Sequence, residues 1–394
     1  MVLFKNRGWW LVAKTKEVKK YYSLDAILKY DADYYVGFGE RSNGKSFSVK
    51  DLILFGYHKN GININGYLDD ETQGAIIRRY EEDFRKGRGS SMWNDIVNNE
   101  VNGDYLNKKT KGKWNSIKYY SYAWYLTKVD GDEEFVDNNP FCYAFALNSE
   151  EHYKSNQYPK IKNALLDEFI SRTGYLGGGS AEFTYFTSIL STIIRDRDGM
   201  KIFLMGNSVN KVNPYFTEMG LYKAKTMKKG TIDLYTYGES GLRVAVEYTD
   251  FPSKKKKSDK YFAFDNPKLK MITTGEWELD IYPHLPYRYL PKEIYYMYFI
   301  KFYGEIFQCE IINSKGNWFT YIHKKTTPIK ENEEAIIYQE EHDVRPNYKR
   351  KIIYALSKVE QMIVWFFKND KVFYQDNEVG DMINNYINWC RDSK

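Results

Sequence analysis

The feature that most narrows what this chain can fold into is eight residues long. Gly39, Glu40, Arg41, Ser42, Asn43, Gly44, Lys45 and Ser46 form a full GxxxxGK[ST] pattern. An apolar β-type run at 34–38 ends at this segment, and a stretch with helical periodicity at 47–55 starts where it stops, with Gly56 placed to end it. That order matters chemically. Backbone amides of a glycine-rich loop and a helix N-terminus can converge on the β- and γ-phosphates of a nucleotide. Lys45 adds a point charge at the same place, and the Ser46 hydroxyl is a ligand for Mg²⁺.

A second motif sharpens the reading. The apolar run 164–166 leads directly into Asp167 and Glu168. A strand ending in two acids puts Asp167 in the Mg²⁺ shell and Glu168 beside the γ-phosphate, where it can orient and deprotonate a water. The second acid favours ATP hydrolysis over GTPase or small-molecule kinase chemistry. A third apolar run, 202–205, ends at Asn207, which can sense the γ-phosphate or hold the attacking water if the strand lies in a parallel sheet. An asparagine in an ordinary turn competes with that role. Arg195 and Arg197 close the helical stretch 182–194, the place from which an arginine is donated to a neighbouring subunit's ATP, and an ordinary solvated pair fits equally well.

The 394 residues suit two or three domains, and a hydrophobic content of 43% with 37 Tyr and 23 Phe excludes global disorder. A net charge of +6 is too mild to mark a nucleic-acid binder by itself. Three scattered cysteines form neither a disulfide framework nor a zinc site and point to a reducing, intracellular compartment. The apolar runs are shorter than the ~18–20 residues a membrane span needs, so no membrane partner is expected. Residues 1–251 alternate strand-like and helix-like segments, the pattern of a mostly parallel α/β sheet closed by a hairpin at 232–248. Residues 252–289, with four consecutive lysines and several prolines, are expected to be a linker or small lid. Residues 290–394 are expected to form a small α+β domain, with β-type runs at 295–303, 305–312 and 318–323 and helices near 349–368 and 378–390.

Together these segments resemble the genome-packaging motor ATPases of small tailed phages with protein-capped linear DNA, relatives of the large terminases. The carriers are the loop 39–46 with Arg41 inside it, Ile76 to Tyr80, Ser155 to Pro159, 166–170, Arg195-Asp196-Arg197, and 207–216 with its Asn-Pro-Tyr-Phe. The resemblance implies a P-loop NTPase of the additional-strand, catalytic-glutamate class using ATP and Mg²⁺. It further implies a homomeric ring, a pentamer, at the portal of a procapsid in the host cytoplasm, pumping double-stranded DNA inward, with a structural RNA as a possible bridge. Arg195 and Lys154 are implied as cations acting in trans, although Lys154 also reads as a plain surface lysine.

Two departures stand out. Segments 57–72 and 87–130 look long for the family, and the second carries Lys108, Lys109, Lys111, Lys113 and Lys118 with no acid between them. A flexible basic loop tipped by Trp114 would suit non-specific phosphate gripping, and an ordinary solvated loop competes with that reading. The last domain resembles a ribonuclease-H-like fold. Two-metal nuclease chemistry needs several carboxylates around metals ~4 Å apart. Here Glu305 and Glu310 face opposite sides of one strand, with His323 on the next, as in a nuclease that has lost its site. A large terminase with a live nuclease, and a non-motor nucleotide-switched nucleic-acid-binding protein, are the alternatives.

Overall fold

The computed structural model describes residues 21–41, 43–85, 87–98, 103–171, 175–178, 180–207, 213–239, 241–251, 282–285 and 287–392. The chain builds a mixed α/β structure around two large sheets.

The first sheet takes β1 (Tyr34–Gly39), β4 (Gln73–Arg78), β5 (Ser116–Tyr120), β6 (Ala123–Asp130), β7 (Glu133–Val136), β8 (Cys142–Ala146), β9 (Ile161–Asp167), β10 (Lys201–Asn207), β11 (Thr231–Tyr237) and β12 (Leu242–Tyr248). A small antiparallel hairpin, β2 (Tyr57–Lys59) and β3 (Ile62–Ile64), stands apart. The sheet order is β11-β12-β1-β10-β9-β4-β8-β6-β5, with β7 pairing on β6. From β12 to β8 every pairing is parallel. Buried on both faces, these strands read as continuous apolar runs rather than alternating ones.

Alternate side chains feed two cores. Tyr35, Ile76, Leu165 and Phe203 pack with Val49, Leu52 and Ile53 of helix α1 (Lys45–Phe55). Val36, Ile77, Leu166 and Leu204 face the other way, onto Phe186, Ile189, Leu190 and Ile193 of the helix Ser180–Ile194. Their i, i+3, i+4, i+7 spacing is the one that gives a helix a single apolar stripe.

Residues 87–130 correct the expectation of a flexible loop. They form short helices, including Tyr105–Lys109, and then the antiparallel strands β5 and β6, with β7 following at 133–136. Trp114 is not a tip: it is 3% exposed and stacks on Phe135 at 5.8 Å. The lysine density hid the alternation of Trp124 and Leu126 that builds this extension.

The second sheet has the order β17-β16-β13-β14-β15-β18. Its strands are β13 (Ile294–Phe302), β14 (Glu305–Ser314), β15 (Asn317–Lys324), β16 (Ile337–Gln339), β17 (Tyr348–Lys349) and β18 (Val372–Tyr374). The first three form a meander, and β16 and β18 add parallel to β13 and β15. The expected helix at 349–368 is shorter, Lys358–Lys368, because Ser357 and Glu360 form a capping box there. A longer terminal helix, Asn377–Asp392, follows. The segment expected to be a linker lies outside the described residues from 252 to 281. Among the described residues no helix is long and apolar enough to cross a membrane.

Candidate nucleotide site

The candidate site lies where β1, β9, β10 and β4 end together at the carboxyl edge of the parallel sheet, the edge at which open α/β sheets hold ligands. β1 delivers Gly39 and α1 begins at Lys45. Gly39 passes so close to the last residues of the β12 segment that a Cβ there would meet Thr249 Oγ1 at 2.0 Å. Gly44 has φ of +96°, a conformation that glycine adopts without a steric penalty. Ser42 lies outside the described residues.

Internal bonds hold the loop. Asn43 is 3% exposed; its amide donates to Thr249 Oγ1 at 3.2 Å, and its carbonyl accepts from the Tyr22 N–H at 2.8 Å. Lys45 Nζ donates to the Glu40 carbonyl at 2.7 Å and to Asn43 Oδ1 at 3.1 Å. Burial pushes the Lys45 ammonium down to about 8, against the charges of Asp167, Glu40 and Glu247 that favour it. Behind the loop, Glu247 accepts from Tyr22 Oη at 2.8 Å, and burial raises it to about 7.

The acids come from β9. Ser46 Oγ donates to Asp167 Oδ1 at 2.6 Å, across 121 residues of chain. Glu168 follows with φ of +59°, its N–H donating to the Met205 carbonyl at 2.8 Å. A non-glycine residue in that region costs roughly 1–3 kcal/mol and persists where its surroundings hold it. Arg78, ending β4, places Nη1 3.3 Å from Asp167 Oδ2 and 2.9 Å from Glu168 Oε2. Asn207 ends β10 in register with Gly39. A cleft of about 630 Å³ is lined by Arg41, Ser46, Arg78, Asp167, Glu168 and Asn207 among others. One hydroxyl and one carboxylate oxygen side by side are hard donors of the kind Mg²⁺ prefers, so Ser46 and Asp167 fit that ion.

The remaining expected residues stand elsewhere. Arg195 and Lys154 do not line the cleft. Arg195 is exposed, with φ of +45°, and donates to the Asn156 carbonyl at 2.8 Å. Lys154, also exposed and two residues from Asn156, pairs with Glu151. Arg197 donates to the carbonyls of Tyr158 at 2.9 Å and Ile161 at 3.2 Å, and so braces the turn entering β9. Lys108, Lys109, Lys111 and Lys113 are all exposed; Lys109 lies over the Phe55 ring at 5.2 Å and Lys113 over Trp114 at 5.4 Å. Residues 208–212 of the Asn-Pro-Tyr-Phe segment lie outside the described residues.

Sequence reasoning assigned no role to Arg78, Tyr22 or Glu247. Two arginines closing an apolar strand were the available signal for the first. For the other two, contacts spanning about two hundred residues left none.

Against this geometry, the comparisons are specific. Residues 16–262 match the model of the podovirus DNA encapsidation protein (Gp16). The chain belongs to that family. The motifs around Gly39–Ser46 and Asp167 thus lie within the matched stretch. A DNA packaging protein of Bacillus phage B103 is 25% identical over 195 residues, 50% of each chain. The DNA packaging protein of Bacillus phage phi29 is 23% identical over 196 residues, 50% of this chain and 49% of that one. The chain spans about half the length of these curated relatives. Among solved structures, the bacteriophage Phi-29 viral genome packaging motor assembly aligns over 94% of this chain and 100% of that one, with a TM-score of 0.54 at 17% identity. The Phi-28 gp11 DNA packaging motor aligns over 95% and 98%, with a TM-score of 0.52 at 16% identity. At those identities the likeness is one of fold.

Proposed function

We propose that this chain is the ATP-hydrolysing subunit of a motor that drives double-stranded viral DNA into a preformed capsid. It works as a homomeric ring, a pentamer, at the portal vertex in the host cytoplasm, with a structural RNA as a further partner. One observation carries the reading: Ser46 Oγ and Asp167 Oδ1 meet at 2.6 Å in a cleft that Glu168 and Asn207 also line. The strand order supports the additional-strand class of P-loop NTPase, since β10 separates the loop strand β1 from the acid strand β9. Family membership and the names of the relatives, DNA packaging proteins of Bacillus phages, supply the DNA substrate.

The chemistry follows from the chain's own groups. Loop amides and Lys45 bind the triphosphate, Lys45 exchanging the Glu40 carbonyl for phosphate oxygens. Ser46 and Asp167 would hold Mg²⁺, which would neutralise charge on the phosphates. Glu168 takes the proton of a water whose oxygen bonds to the γ-phosphorus, while the bond to the β–γ bridging oxygen breaks and ADP leaves with it. Asn207 orients that water. Arg195 serves as the finger on a neighbour's γ-phosphate and Lys154 as a second cation in trans; Arg197, spent on backbone carbonyls, does not. Lys108, Lys109, Lys111 and Lys113 contact DNA phosphates from an ordered extension.

We assign 1–251 as the ATPase domain, 252–289 as a connector and 290–394 as a ribonuclease-H-like domain without nuclease activity. Its strand order β15-β14-β13-β16-β17, with β18 added beside β15, supports the fold, and the packing of Glu310 against Tyr289, Gln308 and His323 supports the loss of chemistry. The test is ATP turnover by the full chain with and without double-stranded DNA, using mixtures of wild-type and Arg195→Ala subunits. Turnover stimulated by DNA and poisoned out of proportion by the variant is expected. Activity indifferent to DNA, or falling only in proportion to the variant fraction, contradicts the motor reading.

A further inference from the structure

Glu182 is a fully buried carboxylate that the mechanism above does not use. Sitting in the first turn of the helix Ser180–Ile194, it accepts from Arg79 Nε and Nη2, both at 2.8 Å, from the Leu176 N–H at 2.7 Å and from Tyr215 Oη at 2.9 Å. A buried ion pair alone is weak evidence of a role, because desolvation can cancel its attraction. What the other edge of the guanidinium does is more informative. Arg79 Nη2 donates to the Phe169 carbonyl at 3.1 Å, and Nη1 and Nη2 reach the Glu168 carbonyl at 3.4 and 3.5 Å. The Tyr175 ring lies against its face at 5.4 Å.

The two adjacent arginines at the end of β4 therefore divide the acid strand between them. Arg78 meets the carboxylates of Asp167 and Glu168, and Arg79 meets the main chain that follows them. That main chain is in the left-handed conformation at Glu168, which the local sequence does not favour and which something outside it must hold. We propose that Arg79, fixed by Glu182, is a positioning pair that clamps the turn at Glu168–Phe169 and so aims the Glu168 carboxylate at the attacking water. Arg79 touches neither nucleotide nor water in this account; it acts through Glu168. The inference rests on the ATPase reading and deepens it.

The test uses the full chain with Arg79→Lys, which keeps the charge and loses the fork, and separately Glu182→Gln, which keeps the shape and loses the charge. Steady-state kcat and KM for ATP, affinity for a fluorescent ATP analogue, and thermal unfolding are measured for each. A small displacement of a catalytic group costs up to about 100-fold. The expected result is a kcat down by about 10- to 100-fold, with KM and analogue affinity essentially as in wild type. In a Glu168→Gln background the same two changes should cost little further activity, because the group they aim has lost its function. A loss of kcat matched by an equal loss of affinity, or a full additional loss in the Glu168→Gln background, overturns the proposal. Comparing each variant at temperatures well below its own melting point keeps the answer independent of stability. Wild-type protein that turns over no ATP would overturn the ATPase reading itself, and this inference with it, before any variant is made.

Discussion

Each of the two sheets brings acids to its strands, and it treats them in opposite ways. In the first, Asp167 and Glu168 stand at a strand end and face a cleft, with Arg78, Ser46 and Asn207 around them. In the second, Glu310 lies mid-strand on β14 at 5% exposure. It accepts from Tyr289 Oη and from Gln308 Nε2 at 2.6 Å, and it lies 3.5 Å from His323 Nε2. Glu305, five residues earlier, lies 2.7 Å from Lys324 instead. Asp167 and Glu168, whose partners are the Arg78 guanidinium and the Ser46 hydroxyl at the wall of an open cleft, can take up a ligand. A carboxylate whose oxygens are already met by a phenol, an amide and an imidazole is part of a core. Among the described residues no three His, Cys, Asp or Glu gather as a metal-binding group.

The contrast can be broken most sharply at the loop. Lys45→Ala is expected to weaken ATP-analogue binding by about 100-fold, since it removes a buried ammonium that bonds the loop's own carbonyl oxygens and would bond phosphate oxygens. Glu310→Gln should leave binding and turnover within twofold. Equal losses in both, read by fluorescence titration, would erase the distinction between the sheets.

Next in size is the extension that replaced an expected loop. Trp114→Ala should cost about 3–5 kcal/mol of stability, the range for deleting a buried aromatic. Denaturant titration showing less than 1 kcal/mol would return Trp114 to the surface.

Two of the buried glutamates, Glu247 and Glu310, should also titrate in opposite senses. Glu247 is raised to about 7 in the folded chain by burial, from an ordinary value of 4.5. The unfolded chain therefore gives up that proton first, and the stability the protonated form carries is lost as pH rises from about 4.5 to 7, by roughly 3–4 kcal/mol. Glu310 is opposed by burial but held below its ordinary value by His323, Tyr289 and Gln308. Its contribution is present above 4.5 and is lost as pH falls. Denaturant midpoints at pH 5 and 8 should thus fall with rising pH in wild type relative to Glu247→Gln. A parallel response in the two proteins would contradict the assignment.

The smallest effect concerns DNA. Replacing Lys108, Lys109, Lys111 and Lys113 by alanine should lower the slope of log affinity against log salt by up to ~4, about 0.9 per lost phosphate contact. An unchanged slope would leave these lysines as solvent-facing charge.

What was legible in the sequence follows the range of the interactions. The loop, its strand and its helix are contiguous, so the pattern 34–56 announced all three, and Asp167 and Glu168 stood out as acids closing an apolar run. The same local logic placed β13, β14 and β15. It failed where a structure is defined by distant partners. β16, β17 and β18 are two or three residues long and exist because longer strands pair with them. Arg78 and Arg79 differ in role only because β4 lies beside β9. Arg195 and Arg197, equivalent on paper, separate once the turn at 158–161 is seen to consume one of them.

The most direct measurement is ATP turnover by Glu168→Gln beside wild type, with ATP affinity measured on the same preparations. The account predicts that affinity is retained while turnover falls by roughly 100-fold or more, the scale of losing a general base. Turnover equal to wild type with intact binding would contradict it, and would remove the strand-end acid from the chemistry on which the motor reading depends.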